Sequence, residues 1–149
     1  MKMTNMIEFF QNSDEIYKDT LKPVCDKYNV TYMELTIILF LGNNPTLDKA
    51  SDIVEKRHIA KSHASSSIRT LMDKELLVGK CLDSDRRSIH LKLLDSAKPI
   101  LKAGQKAQKE FIDICTSDLS DEELSIIQNA LNKMDKNLQT KRKELRNGK

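Results

Sequence analysis

Between Thr46 and Leu93 the hydrophobic pattern restarts once and then changes period, and few chain paths accommodate that order. Leu47, Ala50, Ile53 and Val54 recur at helical spacing. After Ile59 the pattern begins again, with Ala64, Ile68, Leu71 and Leu76 on one side. Leu77–Leu82 and Arg87–Leu93 then read as strands, the second placing Ile89, Leu91 and Leu93 on one face. Asp83-Ser84-Asp85-Arg86-Arg87 lies between them, a turn-forming run with two adjacent guanidinium groups. Two short helices around a tight turn, followed by a hairpin with a cationic tip, make a winged helix-turn-helix.

The second helix of this pair is polar on the side away from its apolar stripe. Lys61, Ser62, His63, Ser66, Ser67, Arg69 and Thr70 stand there, short hydrogen-bonding side chains flanked by cations. Such a face suits a helix lying in a major groove. For His63 two readings stay open, a phosphate or base-edge contact and a merely solvated side chain.

Lys61-Ser62-x-x-Ser65 through Leu71, together with Asp85-Arg86-Arg87-x-x-x-Leu91-x-Leu93, resembles the MarR family of bacterial transcription regulators. The wing motif is the more specific piece, and the likeness extends over nearly the whole chain in the number and order of its helices. The candidate DNA-binding set is Lys61, Ser62, His63, Ser65, Ser66, Ser67 and Arg69 on the second helix with Arg86 and Arg87 on the wing, and the resemblance implies the Arg87 contact, with Asp85 orienting it. It further implies first and last helices that interlock two subunits. A small aromatic or anionic effector would enter a cleft to which Tyr28, Tyr32, Met33 and Met72 are assigned. The chain departs from the family pattern at three places. His58 and Glu75 stand where relatives commonly carry Gly, and Ala60 where they often carry a Ser or Thr cap.

At 149 residues the chain is expected to form one domain, with a DNA-binding lobe at about 46–93 and dimerisation helices at about 5–28 and 95–146. Hydrophobic residues make up 39% and there are only 4 Gly, which favours a mainly α fold with one small β-hairpin. No apolar run approaches the roughly 20 residues of a membrane span, and the N-terminus is not signal-like, so the expected compartment is the cytoplasm. Residues 56–92 hold nine Lys/Arg against four Asp/Glu, and residues 136–149 hold six against one. A basic stripe over the helix pair and hairpin fits nucleic acid, although an unevenly charged, solvated surface reads equally well from charge alone.

Along the chain, Met6, Phe10, Ser13, Tyr17, Leu21 and Val24 form the stripe of a first helix over 5–22, widened by Phe9 and Ile16. Pro23 predicts a bend, then a short helical turn to Tyr28. Thr31-Tyr32-Met33-Glu34 is a capping box opening the second helix, which Gly42-Asn43-Asn44-Pro45 ends. Thr46 or Asp48 is expected to cap the third helix. Asp95 or Ser96 opens a fifth, with Pro99 in its first turn and Ile100, Gly104, Ala107, Phe111 and Ile114 as its stripe. Ser120-Asp121-Glu122-Glu123 is another capping box. It leads into a helix whose Leu124, Ile127, Leu131, Met134, Leu138 and Leu145 keep a heptad-like register interrupted only at Lys141. That seam predicts burial against a second copy, with an intrachain hairpin of helices five and six as the alternative.

No phosphate loop and no convergent acid–base set stands out, so an enzyme is not expected and no cofactor is predicted. His58, His63 and His90 lack the spacing of a zinc site. Cys25, Cys81 and Cys115 read as buried thiols of a reducing compartment. The function expected is a dimeric, sequence-specific DNA-binding regulator, a repressor of an inverted-repeat operator released by a small ligand. The alternatives are a winged-helix protein-docking module and a cysteine-based redox sensor.

Overall fold

The computed structural model describes residues 3–82 and 85–147, with side chains for 4–81 and 88–145. Among them the elements run α1 (Met3–Tyr28), α2 (Tyr32–Asn43), α3 (Ala50–Arg57), α4 (Lys61–Asp73), β1 (Leu77–Leu82), β2 (Asp85–Leu93), a 3₁₀ turn (Asp95–Ala97), α5 (Lys98–Thr116) and α6 (Asp121–Asn147). The two strands pair antiparallel, Leu77 opposite Leu93 and Cys81 opposite Ile89. This is the mainly α winged helix-turn-helix expected. Met1–Phe111 and Ile112–Lys149 form two compact units.

In the first unit α2 is the central helix. Glu34, Leu35 and Ile37 through Leu41 are all buried, so the helix is enclosed by its neighbours on every side. The core they share takes Leu21 and Val24 from α1, Ile68 and Leu71 from α4, Ile100 and Ala107 from α5, and Leu77 and Leu91 from the wing. At Gly104 of α5 an added Cβ would stand 2.9 Å from Leu39 Cδ2 and 3.2 Å from Leu35 Cδ1, so glycine permits the close crossing over α2.

The Thr31 capping box is present. Glu34 N–H donates to Thr31 Oγ1 and Thr31 N–H to Glu34 Oε2, both at 3.1 Å. The same carboxylate, 4% exposed, accepts from Lys74 Nζ at 2.8 Å. That ammonium also donates to the Asn29 carbonyl at 2.8 Å. One buried acid thus ties the α1–α2 turn to the end of α4. A buried charge is tolerated only when paired. Glu34→Ala removes the cap and strands Lys74, but that side chain is 32% exposed and rehydrates. The expected loss is therefore about 2 kcal/mol, below the usual range for breaking a fully buried pair. Urea unfolding checks it, and wild-type stability in Glu34→Ala shows that the pair contributes nothing net.

Several expectations are corrected. Pro23 lies inside one helix that runs from Met3 to Tyr28 rather than ending a first segment. Leu21 and Val24 on either side of it are buried, and their packing outweighs the lost hydrogen bond. The early part of the α1 stripe is not buried within the chain: Phe10 and Ile16 are exposed and Phe9 is 61% exposed. Neither Thr46 nor Asp48 caps α3. Lys49 is the cap residue, and its N–H donates to the Asp52 carboxylate at 3.0 Å. Before α5, Asp95 and Ser96 sit in the 3₁₀ turn, and the Ser96 hydroxyl donates to the Glu75 carbonyl instead of capping. Ile114 is exposed, so the α5 stripe is buried only as far as Ala107, with Phe111 half-buried. Cys81 and Cys115 are exposed and Cys25 is half-buried, so the thiols are not core residues as a set.

Candidate nucleic-acid interface

The helix pair is built around an inner face that the core holds. Ile53 of α3 and Ala64, Ile68 and Leu71 of α4 are buried. The turn between the helices closes at His58 with φ 53° and ψ 37°, the left-handed conformation that a Gly-like position demands. Ala60 precedes α4 without a side-chain cap. The first N–H groups of α4 are therefore without a side-chain cap, an arrangement that favours an anion such as phosphate.

α4 presents the predicted face. Lys61, Ser62, His63, Ser65, Ser66 and Arg69 are exposed, while Ser67 and Thr70 are half-buried. Thr70 Oγ1 donates back to the Ser66 carbonyl at 3.2 Å. At its far end α4 closes through Glu75, φ 54°, with Leu76 N–H donating to the Leu71 carbonyl at 2.9 Å. That is a helix stop of the Schellman type made without glycine. α1 stops the same way at Asn29, φ 51°, with Val30 N–H donating to the Cys25 carbonyl at 3.1 Å. Sequence reasoning passed over Asn29, although Asn is the residue other than Gly that best tolerates this conformation.

The wing leaves the core at Leu77 and Leu93. A register shift falls between Cys81 and Leu82. Asp85, Arg86 and Arg87 begin β2, but their side chains lie outside the described residues. Asp83 and Ser84 lie outside them altogether. At the inner end of the wing, Leu91 N–H donates to the Asp48 carbonyl at 2.7 Å. His90 Nδ1–H donates to both Asp48 carboxylate oxygens, at 2.9 and 3.0 Å. This contact joins residues far apart in the chain, and no local spacing announces it.

A cleft of about 440 Å³ opens on the first unit beside the α1–α2 turn, with Lys18, Lys22, Cys25, Val30, Thr31 and Tyr32 among its lining. Lys18 Nζ lies 5.8 Å from the centre of the Tyr32 ring, and both lysines are paired to aspartates on α1. Of the four residues assigned to an effector cleft, Tyr32 lines this one. Tyr28, Met33 and Met72 are half-buried against the hydrophobic core. Burial is the largest influence on Cys25 and pushes its thiol pKa up, which disfavours the thiolate that a peroxide sensor needs. Among the described residues no three His, Cys, Asp or Glu side chains gather as a metal site, and no helix is long and apolar enough to cross a membrane.

Each unit also carries uncovered apolar surface. Ile7, Phe9, Phe10 and Ile16 are exposed on α1. On α6 the predicted seam is exposed at Ile127, Leu131, Met134 and Leu138, the last 69% exposed, as is Leu145.

No protein-family model matches the sequence, and no curated protein matches it. Solved structures do match the fold. A MarR transcriptional regulator from Methanosarcina mazei Go1 superposes with a TM-score of 0.78 at 16% identity, covering 94% of this chain and 93% of that one. MepR of S. aureus, solved as a DNA complex, gives 0.71 at 18% identity over 93% and 98%. BpsR of Bordetella bronchiseptica, whose DNA binding is regulated by 6-hydroxynicotinic acid, gives 0.68 at 14% identity over 88% and 98%. The likeness is one of fold: this chain has the winged-helix fold of MarR-family transcriptional regulators.

Proposed function

We propose that this chain, having the fold of MarR-family regulators, is itself a member of that family: a homodimeric repressor that binds an inverted-repeat operator in double-stranded DNA and is released by a small aromatic or anionic effector. One observation carries the reading. The helix after the turn buries Ala64, Ile68 and Leu71 and turns Lys61, Ser62, His63, Ser65, Ser66 and Arg69 to solvent. A solvated helix has no need to gather short hydroxyls between cations, whereas a helix in a major groove reads base edges with such groups and phosphates with such cations. The exposed seam of α6 supports a second copy. The cleft beside Tyr32, with an aromatic wall, supports an aromatic effector, as does the effector of BpsR, while its two lysines are matched by Asp19 and Asp26 in the same lining.

Duplex binding measured over a range of salt concentrations tests the reading. A DNA binder loses affinity steeply and linearly in the logarithm of salt. No binding to any duplex at low salt would favour the docking module instead. Within the same assay, Ser66→Ala should cut discrimination between operator and random duplex by about 1–3 kcal/mol while leaving affinity for random DNA nearly unchanged. Equal losses on both duplexes would move Ser66 to the backbone contacts.

A further inference from the structure

Asp48 holds the wing at two points. Its carbonyl accepts from Leu91 N–H at 2.7 Å, and its carboxylate accepts from His90 Nδ1–H at 2.9 and 3.0 Å. The adjoining Lys49 forms an isolated bridge with His90. Asp48 stands two residues before α3, so this grip joins the hairpin directly to the start of the helix pair. Leu91 is buried, but Ile89 and Cys81 opposite it are exposed. Beyond His90, therefore, the described part of the ribbon has left the core. An isolated two-stranded hairpin is marginally stable by itself. The direction of the ribbon is then set where it is last held.

We propose that the Asp48 carboxylate and the His90 imidazole form a latch that sets the angle between the wing and the reading helices, making His90 a positioning residue for the wing's contact with DNA. The proposal rests on the DNA-binding reading above. From His90 to Arg87 the ribbon runs three residues, about 10 Å at strand spacing. A swing of about 10° at the latch displaces Arg87 by about 2 Å, well beyond the roughly 0.5 Å within which a binding group must be held. The backbone bond from Leu91 keeps the strand in place. The side-chain pair is what fixes its rotation, because it acts across the strand rather than along it.

The geometry at the imidazole selects the test. An asparagine amide N–H occupies about the place of His Nδ1–H, whereas a glutamine amide reaches about as far as Nε2. Full-length wild type, His90→Asn and His90→Gln are titrated against two duplexes. One is an inverted-repeat fragment selected by wild type from a random library, and the other is the same fragment with G·C pairs replacing A·T pairs at the wing positions. Backbone ¹⁵N order parameters at Ile89 are measured without DNA, and thermal melts control for folding. The latch predicts that His90→Gln binds the selected fragment about tenfold more weakly, loses its preference between the two flanks and shows a lower order parameter at Ile89. It predicts that His90→Asn restores all three toward wild type. If folded His90→Gln keeps affinity, flank preference and order at Ile89, the latch is overturned while the DNA reading stands. If His90→Asn and His90→Gln fail alike, the imidazole has a role other than this hydrogen bond, and the proposal is equally overturned. If wild type binds no duplex, the DNA reading falls and takes the wing's role with it, whatever Ile89 reports.

Discussion

Replacing Leu131 and Leu138 together with aspartate is expected to leave a folded protein that sediments as a monomer and binds its operator about 10²–10⁴-fold more weakly. Both side chains are exposed on α6 within one chain. The cost to the helix itself is small, on the order of several tenths of a kcal/mol per aspartate. The cost to a dimer is larger. Burying a leucine is worth about 1.5–3 kcal/mol, and symmetry counts each position twice. An aspartate in the seam loses that burial and adds a desolvated charge. The affinity loss follows from linkage of two half-site contacts in one molecule, which raises avidity by about that factor. Sedimentation velocity and operator titration, with far-UV circular dichroism as control, check both halves. A variant that remains a dimer places the interface elsewhere and removes the role assigned to the α6 seam.

Arg87→Ala is expected to reduce operator affinity by about 10²–10⁴-fold per dimer with little change in stability. Charged hydrogen bonds are worth about 1.5–3 kcal/mol each, and a dimer presents two wings. An exposed ion pair contributes only about 0–1 kcal/mol to folding, so the loss of one such cation costs little stability. If it neutralises phosphate, the slope of log affinity against log salt falls by about 1.8 for the two wings. If it also reads a narrow minor groove, the variant becomes less sensitive to exchanging A·T for G·C pairs at the flanks. Arg87→Lys should recover the salt slope but less of the flank preference, because an ammonium is more strongly hydrated than a guanidinium. Unchanged affinity and slope in a folded Arg87→Ala would mean that the wing does not touch DNA.

What was legible in the sequence is what neighbouring residues decide. The Thr31 and Ser120 capping boxes form because donor and acceptor stand three residues apart. The buried side of α4 follows from helical periodicity, and the exposed serines and cations follow as its complement. The turn at His58 was readable from its place between two short apolar patterns, and its left-handed conformation was suggested by the resemblance, since relatives commonly carry Gly there. What escaped is settled across distance. Pro23 argues by local rules for a first segment that closes at a bend, but one helix runs through it, with Leu21 and Val24 buried on either side. Asp48 has the character of a cap, yet β2 claims its carboxylate. The Glu34–Lys74 pair joins residues 40 positions apart, and only the packing of α2 against α4 brings them together. For the candidate interface the divide is the same. The recognition face was read from one helix, whereas the contacts that aim the wing required the fold.

Asn29, His58 and Glu75 each close a helix in a conformation that side-chain-bearing residues seldom adopt. The turns at Glu75 and Asn29 are held from outside: Leu76, just after Glu75, accepts at its carbonyl from Leu94, and Lys74 reaches the Asn29 carbonyl. The segment from α3 to the first strand is thus not a portable cassette. Cut out as a peptide, it loses the neighbours that hold its joints and has no local preference to restore them. A change of sequence specificity by grafting would transfer the outward side chains of α4 into an intact lobe, leaving the joints where the surrounding helices enforce them.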